Sequence, residues 1–100
     1  MTKALLVKQG DNVATSLERL ARGEQVSLAA GGEALEVRLA EDIAFGHKFA
    51  VRAIAAGEPI VKYAETIGLA TRAIAPGEWV HVHNVESVRA RGDRAPGGSR

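Results

Sequence analysis

The sequence contains no cysteine. That rules out a disulfide framework, a thiolate nucleophile and a thiolate zinc site, and it leaves the redox compartment open. Aromatic residues are scarce: Phe45, Phe49, Tyr63 and Trp79 are the whole set, too few for a base-stacking nucleic-acid platform. Neither sign of charge dominates. Thirteen Lys and Arg face twelve Asp and Glu, interleaved along most of the chain, for a formal net charge of +1. No broad basic face follows, which argues against a nucleic-acid partner. Long hydrophobic runs are missing too. The apolar stretch at residues 4–7, between Lys3 and Lys8, is too short for a signal segment or a membrane span and reads as a strand. The expectation is a cytoplasmic protein with no membrane partner. Ser-His-Asp, Walker and dinucleotide-binding patterns are also absent.

What is present fits one small soluble domain: 100 residues, 46% apolar and 25% charged. A chain of this length buries roughly 60–65% of the surface its unfolded form exposes, so the core is modest and a partner surface would add useful burial. After the first strand, Gly10 breaks the chain and Asp11 suits a helix N-cap. Val13, Leu17, Leu20 and Ala21 fall at helical spacing, and Gly23 suits a left-handed stop. The spacing predicts one short amphipathic helix over residues 11–22. The period then changes to two. Val26, Leu28 and Ala30, then Leu35, Val37 and Leu39, alternate with polar residues on either side of Gly31-Gly32, which predicts a β-hairpin with its turn at the glycine pair.

The middle of the chain repeats itself. Residues 43–46, 54–57 and 74–77 share the pattern Ile-Ala-x-Gly, and residues 53–63 align with 73–83 over their whole length. Each unit reads as strand, turn and strand. Pro76 fits position i+1 of a type II turn, with Gly77 supplying positive φ at i+2. Pro59 calls for a sheet edge or a strand start. Asp42, Glu58 and Glu78 read as turn residues. Residues 89–100, rich in Arg, Gly and Pro, read as a disordered basic tail or a linker stub.

Taken together, Gly46-His47-Lys48-Phe49-Ala50, residues 56–63, residues 67–71 and residues 74–84, with Asp11-Asn12-Val13-Ala14 ahead of them, resemble the SAF domain of the altronate and galactarate dehydratases. The resemblance covers about residues 7–88. It implies a mainly β, SAF/β-clip fold with one short N-terminal helix, spanning residues 1–88. It also implies the small subunit, or the N-terminal domain, of a sugar-acid hydro-lyase, inactive without its large catalytic partner. That chemistry uses a divalent metal, iron by the resemblance, held mainly by the large subunit. Sulfolactate sulfo-lyase alpha subunits carry the same motifs and give an alternative substrate. A non-catalytic SAF-type binding module is the alternative of another class. The chain stops where a linker to a large domain would begin. Exposed strand edges make a homodimer a further expectation. Two departures bear on substrate and strain. Ala64 stands where the family usually has Gly, at a cost of about 1 kcal/mol if that position needs positive φ. Leu69 stands where a polar or basic residue is common.

Dehydration of a sugar acid requires removal of the proton α to the carboxylate, stabilisation of the enediolate and protonation of the leaving oxygen. His is the usual proton carrier near neutral pH, and a cation stabilises the developing charge. By the resemblance His47 and Lys48 are the catalytic candidates; on spacing alone they read as a surface pair in a turn. His81 and His83, two apart on an expected strand, share a face and are candidate metal ligands, incomplete without a partner chain. Asn84 and Arg72 are candidate substrate contacts. Asn84 otherwise reads as a turn residue and Arg72 as a solvated one. Tyr63 and Trp79 read as packing residues, and Lys62 as solvated.

Overall fold

The computed structural model describes residues 3–6, 8, 10–30 and 33–87. Its strands are β1 (Ala4–Leu5), β2 (Val13–Ser16), β3 (Gln25–Ala30), β4 (Glu33–Arg38), β5 (Lys48–Ala50), β6 (Pro59–Lys62), β7 (Glu65–Ala70), β8 (Trp79–Val80) and β9 (Val85–Glu86). They form an antiparallel sheet ordered β1-β2-β5-β8, the hairpin β3-β4 and a sheet ordered β6-β7-β9.

The period-two alternation of residues 25–39 produces the expected hairpin. Val26 pairs with Val37 and Leu28 with Leu35, and the apolar members turn inward. Its Gly31-Gly32 turn lies outside the described residues, as does the tail at 89–100.

The helix expected over residues 11–22 does not form; no helix is present among the described residues. Residues 13–16 are β2 instead, pairing Val13 with Ala50 and Ala14 with Phe49. Three features override the helical spacing. The Asp11 carboxylate does not cap a helical turn following it: it accepts N–H groups from Tyr63 and Ala64, each at 2.9 Å. Val13 enters one apolar cluster with Ile60 and Ile74, while its neighbour Ala14 enters another with Phe49 and Leu20. A central strand buried on both faces thus lacks the apolar-polar alternation of a half-exposed strand. Leu17, counted into the helical stripe, is exposed.

The end of that supposed helix is a further copy of the repeat. Leu20-Ala21-Arg22-Gly23-Glu24 adopts the same turn as residues 43–47, 54–58 and 74–78. The fifth residue's N–H donates to the second residue's carbonyl in each, from Glu24 to Ala21, His47 to Ala44, Glu58 to Ala55 and Glu78 to Ala75, at 3.0–3.1 Å. The glycines Gly23, Gly46, Gly57 and Gly77 all have φ between 83° and 87°, as position i+2 of a type II turn requires. The leading residues bridge in pairs, Leu20 with Ile43 and Ile54 with Ile74. At Gly77 there is no room for a side chain: a Cβ would lie 2.1 Å from the Arg38 carbonyl oxygen.

β5 is the element that positions the candidate site. It runs between the two apolar clusters, with Phe49 in one and Ala50 in the other. Burial of Phe49 alone contributes on the order of 2–3 kcal/mol. Pro59 opens edge strand β6, as its missing N–H demands. No helix among the described residues is long and apolar enough to cross a membrane.

Candidate functional site

In three of the four turns the fifth residue is Glu, and its carboxylate folds back onto its own turn. Glu24, Glu58 and Glu78 accept N–H from Ala21, Ala55 and Ala75 at 3.0, 2.7 and 2.8 Å. In the turn leading into β5 that residue is His47. Its ring instead faces Trp79, whose indole N–H donates to His47 Nδ1 at 3.1 Å. An indole N–H can only donate, so Nδ1 is the acceptor and the neutral imidazole carries its own proton on Nε2.

Trp79 organises a stack of rings. His47 and His81 lie nearly parallel with centroids 5.2 Å apart, His81 and Trp79 lie 4.9 Å apart, and His83 tilts against Trp79 at 4.8 Å. His81 and His83 are not on a strand, as their spacing suggested: β8 ends at Val80, and residues 81–84 turn. Asn84 makes that turn. It is 1% exposed; its Oδ1 accepts the His81 N–H at 2.9 Å, and its Nδ2 donates to the Trp79 carbonyl at 2.8 Å. The Asn84 side chain is therefore committed to holding the two histidines outward. Glu41 anchors the start of β8 by accepting the Trp79 main-chain N–H at 3.0 Å.

Beside the stack is an open cleft of about 430 Å³, lined by Arg19, Asp42, Phe45, His47 and Trp79 among others. Of the residues lining it, Phe45 is 70% exposed; Val82, between the two outward histidines, is 80% exposed. Among the described residues no three His, Asp or Glu side chains are gathered closely enough to hold a metal ion.

The structure separates two residues that the sequence joins. His47 lies on the face of the β5 sheet that carries Phe49 and Trp79. Lys48 belongs to the opposite face, in register with Thr15 and Val80. Burial, and after it the charge of Lys62, hold the Lys48 ammonium below the ordinary lysine value. Arg72 lies on the exposed turn after β7 and does not line the cleft. Sequence reasoning overlooked Arg19 and took Trp79 for a packing residue. The available signal was the break in the repeat, His47 standing where Glu recurs.

Comparison with known proteins supplies the context. The family model described as the altronate/galactarate dehydratase SAF domain matches residues 2–88. Altronate dehydratase of Escherichia coli (strain K12) is 44% identical over 77% of this chain and 15% of its own length. Altronate dehydratase of Bacillus subtilis (strain 168) is 38% identical over 87% of this chain and 17% of its own. The (2R)-sulfolactate sulfo-lyase subunit alpha of Chromohalobacter salexigens is 42% identical over 55% of this chain and 58% of its own length. The chain thus spans about one-sixth of the altronate dehydratases it matches and a larger share of a protein named as one subunit of a lyase.

Proposed function

Because the chain belongs to the altronate/galactarate dehydratase SAF domain family, we propose that it serves as the SAF component of a sugar-acid dehydratase, with His47 working in a cleft completed by a larger catalytic partner. The observation that carries this reading is the exchange at the fifth position of the repeated turn. Three copies spend that side chain on their own backbone, whereas His47 is turned onto Trp79 at the mouth of the cleft. The exposed Phe45 in the cleft and Val82 in the turn after β8 give a larger partner apolar side chains to cover.

In this reading His47 does not act alone. With Nδ1 engaged by the indole N–H, its Nε2–H is free to donate to the oxygen on which negative charge develops, the enediolate or the departing hydroxyl. The group that removes the α-proton would come from the partner. A divalent metal, iron by the family resemblance, would be held mainly by the partner as well and would polarise the same oxygens when bound. His81 and His83 would then border that site without completing it.

The 42% identity to two (2R)-sulfolactate sulfo-lyase alpha subunits supports a second reading, with (2R)-sulfolactate as substrate and sulfite as leaving group. The test is to co-express the chain with a large dehydratase subunit and assay altronate, galactarate and sulfolactate. The pair should turn over one of them and the chain alone none. His47→Gln should lower kcat by roughly 10²-fold. An unchanged kcat for His47→Gln in an active pair would remove His47 from the chemistry.

A further inference from the structure

We infer that, within the dehydratase reading on which this rests, Arg19 and Asp42 form the recognition pair of the His47 cleft: Arg19 holds the carboxylate of a polyhydroxy acid and Asp42 accepts one of its hydroxyls. The two bridged pairs of turns in this chain are structural copies, so each serves as a control for the other. Leu20 and Ile43 exchange main-chain N–H···O bonds at 2.9 Å in both directions, and Ile54 and Ile74 do the same at 2.8 Å. The residues just before the bridging positions are Ala53 and Ala73 in one pair, and Arg19 and Asp42 in the other. Both pairs border a hollow of similar size. At the alanine pair the nearby acidic groups, Glu58 and Glu78, are spent on their own turns. At the charged pair the hollow is the cleft of His47, walled by Phe45 and Trp79.

The two charges do not answer each other. Among the described residues no carboxylate stands at ion-pair distance from Arg19. One oxygen of Asp42 accepts the Arg22 main-chain N–H at 2.8 Å, which fixes the carboxylate beside the cleft and leaves its other oxygen as an acceptor. The guanidinium of Arg19 is a planar fork that matches a carboxylate with two parallel N–H···O bonds. It shares one cavity with the Asp42 acceptor and with His47, whose Nδ1 is engaged by the indole and whose Nε2–H is left to donate. Together these groups complement a molecule with one carboxylate and several hydroxyls. A second anionic group on the ligand would meet the charge of Asp42 and weaken binding. The Phe45 and Trp79 side chains displace water from part of the cleft wall, where a charge-assisted bond is worth more than in open solvent. Altronate, with one carboxylate, is thus the better fit than galactarate, with two.

Binding is tested apart from activity. The full chain is titrated with D-gluconate, D-glucarate and sorbitol, which carry one, two and no carboxylates on the same carbon skeleton, at constant ionic strength kept with sodium chloride. NMR signals of the Arg19 Nε–H, the His47 ring and the Trp79 indole are followed. The expected result is saturable movement of all three with gluconate, weaker binding of glucarate and none of sorbitol. Affinity for gluconate should fall at least tenfold in Arg19→Gln. It should stay unchanged in Arg52→Gln, which removes an exposed cation that does not line the cleft. Circular dichroism checks that each variant remains folded. No movement of these signals with gluconate, an equal loss in Arg52→Gln, or glucarate or sorbitol binding as tightly as gluconate would each overturn the assignment. In an active pair with a large dehydratase subunit, Arg19→Gln should raise KM for altronate without a matching fall in kcat, and an unchanged KM would overturn it as well. A pair inactive on every sugar acid would sink the dehydratase reading, while the titration still decides the role of Arg19.

Discussion

The carboxylate of Asp11 accepts the main-chain N–H of Ala64 at 2.9 Å, across 53 residues of chain. Its second oxygen takes the N–H groups of Tyr63 and Lys8 at 2.9 and 3.2 Å. One buried side chain therefore pins a two-residue hairpin turn whose central residues both have positive φ, the type I′ geometry that Asn-Gly would fill without strain. Asp11→Ala should cost about 2–3 kcal/mol, since three main-chain N–H groups lose a charged acceptor that holds the turn. Ala64→Gly should instead stabilise by about 1 kcal/mol by relieving the left-handed backbone. Urea midpoints of the two variants check both, and a destabilised Ala64→Gly would mean that the turn is not strained.

The repeated turns offer an internal comparison. Gly57 and Gly77 have the same φ within 1°, yet a Cβ at Gly57 meets open space while one at Gly77 meets the Arg38 carbonyl. Gly57→Ala should cost about 1 kcal/mol, the conformational penalty alone. Gly77→Ala should cost several times more, because the β4 end must move, and should show as a larger loss of Tm.

Lys48 makes stability depend on alkaline pH. Burial lowers its pKa from 10.5, and the charge of Lys62 lowers it further. The folded chain thus holds this proton less tightly than the unfolded chain, so charged Lys48 costs stability at neutral pH. The cost shrinks as pH rises through the lowered folded value and is gone above the unfolded value. Lys48→Met should therefore raise the urea midpoint at pH 7 and lose much of that advantage near pH 10.5. An equal gain at both pH values would contradict the assigned cause.

The bond from Trp79 to His47 can be removed without removing the ring. Trp79→Phe deletes the indole N–H but keeps an aromatic face for His81. Stability should change by no more than about 1–2 kcal/mol. The imidazole ¹⁵N spectrum of His47 should lose the signature of a single neutral tautomer with unprotonated Nδ1. A mixed tautomer population already present in the unmodified chain would show that the bond does not hold the ring.

Much of the architecture was legible because it is local. The alternation in β3 and β4 (residues 25–30 and 33–38) and the Ile-Ala-x-Gly turns follow from backbone rules that act over a few residues: period two for a half-buried strand, and positive φ for Gly after a type II corner. The helix reading failed where burial is not local. Val13 and Ala14 pack into different apolar clusters, so β2 shows no alternation, and the spacing left over imitates a helix. The same misreading hid the turn at residues 20–24.

The sequence by itself determined the repeated turns, the hairpin and the family pattern around Gly46-His47-Lys48, since each depends on neighbours along the chain. Only the tertiary structure decided that His47 and Lys48 serve opposite faces and that Trp79 gathers the three histidines. Those relations are set by strand register between segments tens of residues apart. A register fixes which face each side chain takes, and no spacing within one segment encodes it.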